Sequence, residues 1–372
     1  MVENAVARAQ GAAPNARPAA LVAADKLLSA AWVQYVRALK VPVRGMTWGD
    51  PLLEPRVPSA HQVLAEAFKA PSLIQHVRAV SAVNPVYAQL RDAAWHKLRL
   101  NGQTAPGARL AANLERVRML PASGRFIAVD TATQQLWMYE DGRLADTMKV
   151  IVGKPDTQTP LLSGTIHYAT FNPYWNIPTD VARRTVVPQV LKRGTAYLRA
   201  ARYEVISGWS NEATVVAPDT VDWKAVAAGT AEVHIRQLPG PANMMGALKF
   251  GFANDLGIYL HDTPHKDLFA KGRRTFSLGC VRVEDAKRLG RWLLQADAVP
   301  PTDQPELSVQ LPKPVPVYIT YLTASADDGR LAFSDDIYGR DPKAETALVE
   351  IEPLTGTSTA SAAGTDLTAT PH

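Results

Sequence analysis

The segment FIAVDTATQQLWMYEDGR, residues 126–143, decides the fold class of this chain. Residues 126–130 have the composition of a strand, a short polar turn follows, and residues 135–139 repeat the strand composition. The pair Asp141-Gly142 then supplies the residues that a tight hairpin turn favours, because both tolerate a positive φ. The segment therefore predicts two antiparallel strands and a return into a third.

The β pattern continues along most of the chain after this hairpin. Runs with strand composition recur with turn signals about every ten residues, at 146–152, 166–171, 233–237, 257–261 and 315–322. Residues 178–230 interrupt the pattern with helical and irregular sequence, and an insertion of this length is often a lid. We therefore predict a mainly antiparallel β domain over residues 121–345 with a lid-like insertion.

The segments on either side of this domain have different compositions. Residues 21–120 place apolar side chains at helical spacing, and Ser59 is a candidate helix cap, so they predict an α-helical scaffold. Residues 1–20 are rich in Ala, Pro and Arg and predict a flexible lead-in. Residues 346–372 are of low complexity and predict a disordered tail. The predicted fold class is α+β, with a small helical scaffold before the β domain.

Composition restricts the class of function. Of the 372 residues, 47% are hydrophobic and 20% are charged, as in ordinary globular proteins. The net charge of +5 fits either a solvated surface or attraction to an anionic partner such as a cell-wall polymer or a membrane surface. The basic residues are scattered without an aromatic recognition motif, so nucleic acid is not an expected partner. No apolar run is long enough to predict a membrane span.

Two short segments carry the chemistry. Cys280 is the single cysteine of the chain and lies in FSLGCVRV, residues 276–283, while His261 ends GIYLH, residues 257–261. A thiol with a pKa near 8.5 is mostly protonated at neutral pH, and a neighbouring imidazole can take its proton. Gly279 would let a substrate carbonyl approach the backbone N–H groups. The pattern predicts a nucleophile and its general base.

A metal centre is not expected. A single cysteine excludes an intrachain disulfide and any site built from several cysteines. His261 and His265 have the spacing of two ligands on one helix face, but Pro264 between them argues against a helix there.

His261, a spacer of fifteen residues and then Ser277-Leu278-Gly279-Cys280-Val281-Arg282 resemble the signature of the L,D-transpeptidases, the YkuD-domain family. Further motifs look like the larger proteobacterial YcbB-type branch, at residues 150–155, 171–178, 237–241, 259–264 and 335–341. Two features depart from the family pattern. Leu278 stands where many members have histidine, and the helical peptidoglycan-binding module that usually precedes the catalytic domain is not found.

The resemblance implies roles for the residues around the cysteine. Cys280 would attack the carbonyl at the meso-diaminopimelate L-centre of a donor stem peptide, and His261 would move the protons. The oxyanion hole would come from the backbone N–H of Cys280 and of Gly279 or Leu278. A backbone carbonyl commonly orients the histidine in this family. The side chain of Asp262 is a poor candidate for that task, because neighbouring strand residues point to opposite faces.

Arg282 is the first of the substrate-binding candidates. In a strand it shares a face with Cys280, so its guanidinium can bind a stem-peptide carboxylate in bidentate fashion. The alternative is a surface arginine paired with Glu284 or Asp285.

The other substrate-binding candidates are Tyr259, Ser277, Trp175 and Asn176. Tyr259 shares a strand face with His261 and either lines the donor groove or is a half-buried strand tyrosine. Trp175 and Asn176 either form a groove wall or pack in a core. Ser277 belongs to the signature itself.

The resemblance implies peptidoglycan stem peptides as donor and acceptor, no metal or other cofactor, and a covalent carbapenem adduct on Cys280. Capture of the acyl-enzyme by a stem amine gives a 3→3 or 1→3 cross-link, capture by water makes the protein an L,D-carboxypeptidase or an amidase, and capture by a free D-amino acid exchanges the terminal residue. The insertion favours cross-linking. A non-catalytic cell-wall binder predicts a damaged Cys–His pair. The expected location is the periplasm, for a chain whose leader has been removed.

Overall fold

The computed structural model describes residues 1–103, 105–210, 212–298 and 302–343. The first part of the chain is helical, as the apolar spacing predicts. Its helices are α1 Val2–Gly11, α2 Arg17–Leu39, α3 Ala60–Lys69, α4 Leu73–Ala82, α5 Pro85–Leu100 and α6 Ala108–Val117. None of the helices in the described ranges is both long enough and apolar enough to cross a membrane.

Polar side chains at the start of these helices satisfy N–H groups that have no partner inside the helix. The Ser59 hydroxyl accepts from the N–H of Gln62 at 3.2 Å, and the Gln62 side chain accepts from the N–H of Ser59 at 2.8 Å. This capping box confirms the predicted cap of α3. Ser72 and Asn84 cap α4 and α5 in a similar way. Local sequence therefore sets where these three helices begin.

The predicted flexible lead-in is helical instead. Helix α1 spans Val2–Gly11 and α2 begins at Arg17, and the two helices pack against each other with Ala9 buried. Alanine has the highest helix propensity, and this segment has many alanines, so a composition that suggested flexibility also favours a helix once α2 supplies a packing surface. The prediction of a disordered tail at 346–372 concerns residues outside the described ranges.

The remainder of the described chain is mainly β, which confirms the predicted α+β class. The strands of its main sheet are β1 Thr47–Trp48, β2 Phe126–Asp130, β3 Gln135–Glu140, β4 Arg143–Gly153, β5 Leu162–Phe171, β10 Leu248–Phe252, β11 Tyr259–His261, β12 Thr275–Ser277, β13 Val281–Val283 and β14 Leu307–Thr320. Strand β10 has no counterpart in the sequence prediction. A short hairpin of β15 Ala324–Asp327 and β16 Arg330–Phe333 follows.

The main sheet closes on itself. Neighbouring strands follow the order β5-β10-β11-β13-β4-β3-β2-β14, and β14 also pairs with β5. Most neighbours are antiparallel, while β11 with β13 and β14 with β2 are parallel. The sequence alone predicts most of these strands but not the closure, because the closure depends on one long strand, β14, that bridges two distant partners.

Alternation along β2 divides the buried residues into two layers. Ile127 and Val129 lie in the core enclosed by the sheet, where helix α11, Ala286–Leu294, also packs. Phe126 and Ala128 point to the other face and join a second core with residues of α5 and α6. Because side chains alternate along a strand, one face of β2 packs into the core of the β domain and the other face packs against the helical scaffold. The scaffold therefore lies on the outside of the sheet.

The insertion forms a subdomain with a sheet of its own. Its strands are ordered β6 Trp175–Ile177, β9 His234–Gln237, β7 Tyr203–Ile206 and β8 Val215–Val216. The helices are α7 Thr179–Thr185, α8 Val187–Arg193, α9 Ala196–Ala200 and α10 Trp223–Ala228, which pack on a separate core. Residues 233–237, predicted to resume the main domain, instead pair with β6 and β7. The insertion is therefore longer than residues 178–230 and contains strands.

The segment of residues 334–341, which we call the C-terminal clasp, joins the end of the described chain to the main sheet. The Tyr321 hydroxyl donates to Asp336 and accepts from the N–H of Tyr338. The Tyr338 hydroxyl in turn donates to the buried carbonyl of Gly153 at 2.7 Å. Arg340 donates from Nε to the side chain of Gln158 at 2.9 Å. These bonds fix the loop that follows β4.

We expect Tyr338→Phe to lower the free energy of unfolding by about 1–3 kcal/mol, because it leaves the buried Gly153 carbonyl without its donor. Urea denaturation followed by circular dichroism measures the effect. The matched control is Tyr168→Phe, since Tyr168 is about half exposed and its change should stay within about 0.5 kcal/mol. Equal stabilities of the two variants would contradict the role given to the clasp.

Candidate active site

Two adjacent strands bring the sequence-predicted chemical groups onto one face. Strands β11 and β13 pair in parallel, with Leu260 opposite Val281 and His261 opposite Arg282. Leu260 and Val281 are fully buried in the main core. Because side chains alternate, His261 and Arg282 point to the opposite face, and Cys280, one residue before β13, shares that face with them. The register therefore places thiol, imidazole and guanidinium on the same side of the sheet.

His261 is oriented by a backbone carbonyl. Its Nδ1 lies 2.6 Å from the carbonyl oxygen of Asp262. A carbonyl only accepts, so Nδ1 carries the proton and the lone pair of the neutral ring is on Nε2. The Asp262 carboxylate accepts from the N–H of Ala247 at 2.9 Å and from Nζ of Lys266 at 2.6 Å. As alternation predicts, that carboxylate takes no part in orienting the imidazole.

Burial and charge set the protonation of the pair. Burial, with a smaller contribution from the Arg282 charge, lowers the pKa of His261 to about 4. Burial raises the pKa of Cys280, opposed in part by the backbone N–H of Tyr259 and by Arg282. The Cys280 Sγ donates to the Gly257 carbonyl at 3.5 Å, as a protonated thiol does. At neutral pH the resting site thus holds a protonated thiol and a neutral imidazole on the same strand face.

The turn before the nucleophile is stabilised by Ser277. Its hydroxyl donates to the Cys280 carbonyl at 2.6 Å and accepts from the N–H of Gly279 at 3.2 Å. Ser277 is buried, and both of these bonds stay within the turn. The Ser277 hydroxyl therefore has a structural role in this turn, and its substrate-binding role stays a prediction. Gly279 has φ +124°, a conformation that side-chain-bearing residues rarely adopt, which explains the glycine at this position.

The hydrogen bond from the N–H of Gly279 to Ser277 narrows the choice of oxyanion donors. The N–H of Gly279 already donates to Ser277, so it is not available to a substrate in this conformation. Outside the regular strands, none of the hydrogen bonds in the described part of the chain uses the N–H of Leu278 or of Cys280. Of the three predicted donors, these two are the ones that the geometry leaves for a developing negative charge.

Arg282 has no carboxylate partner among the described residues. Neither of the sequence alternatives pairs with it, because Glu284 accepts from the N–H of Lys149 and Asp285 caps α11. The Nε of Arg282 is buried and makes no hydrogen bond with the described residues. A buried donor without a partner is costly unless a ligand supplies the acceptor. Arg282 is thus suited to bind an anionic group beside the thiol.

The remaining candidates divide into two groups. Tyr259 is half-buried on the strand next to Cys280, with Nζ of Lys249 5.6 Å from its ring centroid. Trp175 and Asn176 belong to the separate sheet of the insertion. Trp175 packs against the core of that subdomain and Asn176 is exposed. Trp175 thus fits the core-packing alternative better than the groove wall. Within the described ranges, neither residue makes a hydrogen bond, ion pair or ring contact with Cys280 or His261.

Sequence reasoning missed Thr159 and Gly257, which contact the nucleophile turn. Thr159 donates to the Gly279 carbonyl, and the Gly257 carbonyl accepts from the thiol. A single threonine or glycine in a loop gives no sequence signal of such a contact. Within the described ranges, no group of three or more His, Cys, Asp or Glu residues is arranged to hold a metal ion.

Comparison with known sequences finds two family models and a curated relative that match the chain. The model of the YkuD family, the L,D-transpeptidase catalytic domain, matches residues 124–318, and the model of a scaffold domain matches residues 3–93. A curated Haemophilus influenzae protein, described as "Putative L,D-transpeptidase", is 28% identical over 284 residues. The match covers 74% of this chain and 57% of that protein, so the chain spans little more than half the length of this relative.

The solved structures that the chain is similar to are more distant in sequence. L,D-transpeptidase 3 from Mycobacterium tuberculosis is 13% identical, with 54% of this chain and 62% of that chain covered and a TM-score of 0.27. The L,D-transpeptidase from Xylanimonas cellulosilytica is 15% identical, with 62% and 79% covered and a TM-score of 0.23.

Proposed function

The chain belongs to the YkuD family of L,D-transpeptidases, and from this premise we propose that it cross-links peptidoglycan stem peptides through a thioester on Cys280. The observation that carries the proposal is the orientation of His261. Its Nδ1 donates to the Asp262 carbonyl, which leaves Nε2 as the basic atom on the strand face that also carries Cys280. A nucleophile, a base and a group orienting that base form the arrangement that acyl transfer requires.

In the acylation step, Nε2 of His261 takes the thiol proton as Sγ attacks the carbonyl of the diaminopimelate L-centre. The negative charge that develops on the carbonyl oxygen is stabilised by the N–H groups of Cys280 and Leu278. The carbon–nitrogen bond then breaks, His261 gives its proton to the leaving amine, and the terminal D-amino acid departs. A thioester on Cys280 and a neutral imidazole remain.

In the second step, the amine of another stem peptide attacks the thioester. His261 accepts a proton from this amine, the carbon–sulfur bond breaks, and the proton returns to the thiol. One peptide bond has been exchanged for another and one D-amino acid has been released. The acceptor amine is either on a diaminopimelate side chain or on the first residue of a stem, which gives 3→3 or 1→3 links.

The substrate also implies a location and an inhibitor class. Peptidoglycan lies outside the cytoplasmic membrane, so we place the active protein in the periplasm. The sequence motifs described above favour the YcbB-type branch of the family. The net charge of +5 suits attraction to an anionic wall polymer. A carbapenem carries a strained acyl group, so it should acylate Cys280 as the donor does.

Incubation with purified disaccharide-tetrapeptides, followed by mass analysis of the products, tests the proposal. The expected product is a dimer whose mass is two monomers less one D-alanine. Tripeptide monomers alone would indicate an L,D-carboxypeptidase, and unchanged substrate with retained binding would indicate a non-catalytic wall binder. Cys280→Ala serves as the inactive control.

Arg282→Gln should raise KM for a donor with a free carboxylate beside the scissile bond by about tenfold, because a charge-assisted hydrogen bond contributes about 1.5–3 kcal/mol. Steady-state kinetics with this donor and with its carboxamide analogue measure the effect. Arg273→Gln is the matched control, since Arg273 is an exposed arginine whose ion pair to Asp335 is long, at 3.9 Å. Equal losses on the acid and on the amide donor would contradict the assignment.

A further inference from the structure

Thr159 is a buried polar residue that the proposed mechanism does not use. Its side chain is fully buried, and its Oγ1 makes two hydrogen bonds to the backbone. It accepts from the N–H of Gly153 at 2.9 Å and donates to the carbonyl of Gly279 at 2.7 Å. The hydroxyl therefore connects the loop after β4 with the turn that carries Cys280.

The hydrogen bond from Thr159 to the Gly279 carbonyl acts on the peptide group that joins Gly279 to Cys280. The carbonyl of Gly279 and the N–H of Cys280 belong to the same planar unit and point in opposite directions. A donor that fixes the direction of the carbonyl thereby fixes the direction of the N–H. Gly279, at φ +124°, is a residue type with unusual backbone freedom, so this plane needs an external anchor.

The bond also affects the strength of the N–H as a donor. Donation to a carbonyl polarises its peptide group, and successive hydrogen bonds strengthen one another. The N–H of Cys280 is therefore a better donor to an oxyanion when Thr159 holds the carbonyl of the same peptide.

We propose that Thr159 is a positioning residue for the oxyanion hole, which aims and polarises the N–H of Cys280 through the Gly279 carbonyl. This inference rests on the proposed acyl transfer. Thr159 is expected to stabilise the transition state, in which negative charge is on the substrate carbonyl oxygen. It is not expected to change the affinity for the donor peptide.

The C-terminal clasp holds Thr159 in place. Nη2 of Arg340 donates to the Thr159 carbonyl at 2.9 Å, and the Tyr338 hydroxyl donates to the Gly153 carbonyl at 2.7 Å. The nucleophile turn therefore depends on residues about sixty positions later in the sequence, through one intervening loop.

The test compares two buried threonines. Thr159→Val removes the hydroxyl and keeps the shape. Thr131→Val is the matched control, because Thr131 is also fully buried and donates to a backbone carbonyl, that of Thr320, at 2.8 Å. Both variants should lose thermal stability. We expect only Thr159→Val to lower kcat for acylation, by about 10- to 100-fold with KM unchanged, and Thr159→Ser to restore most of it.

Alkylation of Cys280 by iodoacetamide supplies a readout that involves no oxyanion. Its rate should be the same in the wild type and in Thr159→Val, because thiol and imidazole are untouched. Parallel losses of alkylation and acylation would overturn the proposal, as would equal kcat values for Thr159→Val and Thr131→Val. If Thr159→Val does not fold, Arg340→Lys replaces it, with an expected loss in kcat of about threefold to tenfold. An unchanged kcat in Arg340→Lys would then overturn the proposal.

Acyl-enzyme and dimer formation by the wild type distinguish a failure of this inference from a failure of the proposed function. If the wild type forms neither acyl-enzyme nor dimer, the proposed function fails. If it forms both and Thr159→Val acts like the wild type, only the role of Thr159 fails.

Discussion

Cys280→Ala will abolish dimer formation, with a loss in rate on the order of 10⁶-fold, as for removal of the nucleophile in other acyl-transfer enzymes. Alanine has no atom that can form an ester or thioester bond, and Cys280 is the one cysteine of the sequence. Quantification of cross-linked products over time by mass spectrometry checks this result. The variant should fold normally, because the hydrogen bond from the thiol to the Gly257 carbonyl is long, at 3.5 Å.

Cys280→Ser is the companion variant. Its hydroxyl is a far weaker nucleophile than a thiol, so it should bind the donor and remain nearly inactive. A Cys280→Ala protein that still forms dimers would remove the thioester mechanism.

Replacing His261 with glutamine should lower the acylation rate by about 10²–10⁴-fold, because the proton of the thiol then has no acceptor of suitable basicity. Single-turnover kinetics with a tetrapeptide donor measure the loss. His167→Gln is the matched control, since His167 is an exposed strand histidine. Similar losses in the two variants would exclude His261 as the base.

The pH dependence of the wild type tests the same residue independently. His261 acts as a base only when neutral, and its pKa is lowered to about 4. Acylation should therefore persist from neutral pH down to about pH 5 and decline as the ring becomes protonated near pH 4, whereas an ordinary histidine would begin to lose activity near pH 6.5. A decline centred near pH 6.5 would contradict the buried, neutral imidazole.

Stability should change in the same pH window. The unfolded chain binds a proton on this histidine below about pH 6.5, but the folded chain does so only near pH 4. The contribution of His261 to the free energy of unfolding is therefore complete above pH 6.5 and is lost as the pH falls toward 4.

Local sequence patterns predicted the elements, and long-range contacts determined what was missed. The hairpin at 126–143 and the cap at Ser59 are local, and both are confirmed. The closure of the sheet by β14 and the membership of β9 in a second sheet depend on partners far along the chain. Strand composition does not specify these partners.

The candidate site shows the same division. Spacing and alternation were sufficient to group Arg282 with Cys280 and Tyr259 with His261, and to exclude the Asp262 carboxylate as the orienting group. The register of β11 with β13 was needed to place Cys280, His261 and Arg282 on one face. Spacing and alternation did not show that Ser277 is used inside its own turn or that Thr159 reaches Gly279. A hydrogen bond from a hydroxyl to the backbone of a distant loop follows no periodicity or spacing in the sequence, so the sequence does not predict it.

Intact-protein mass spectrometry after a brief incubation with a tetrapeptide donor tests the central claim most directly. The account predicts a mass increase equal to the donor less its terminal D-amino acid, located on Cys280 by peptide mapping and lost on addition of an acceptor amine. Dimer formation by the wild type without any such adduct, or an adduct on a residue other than Cys280, would contradict it.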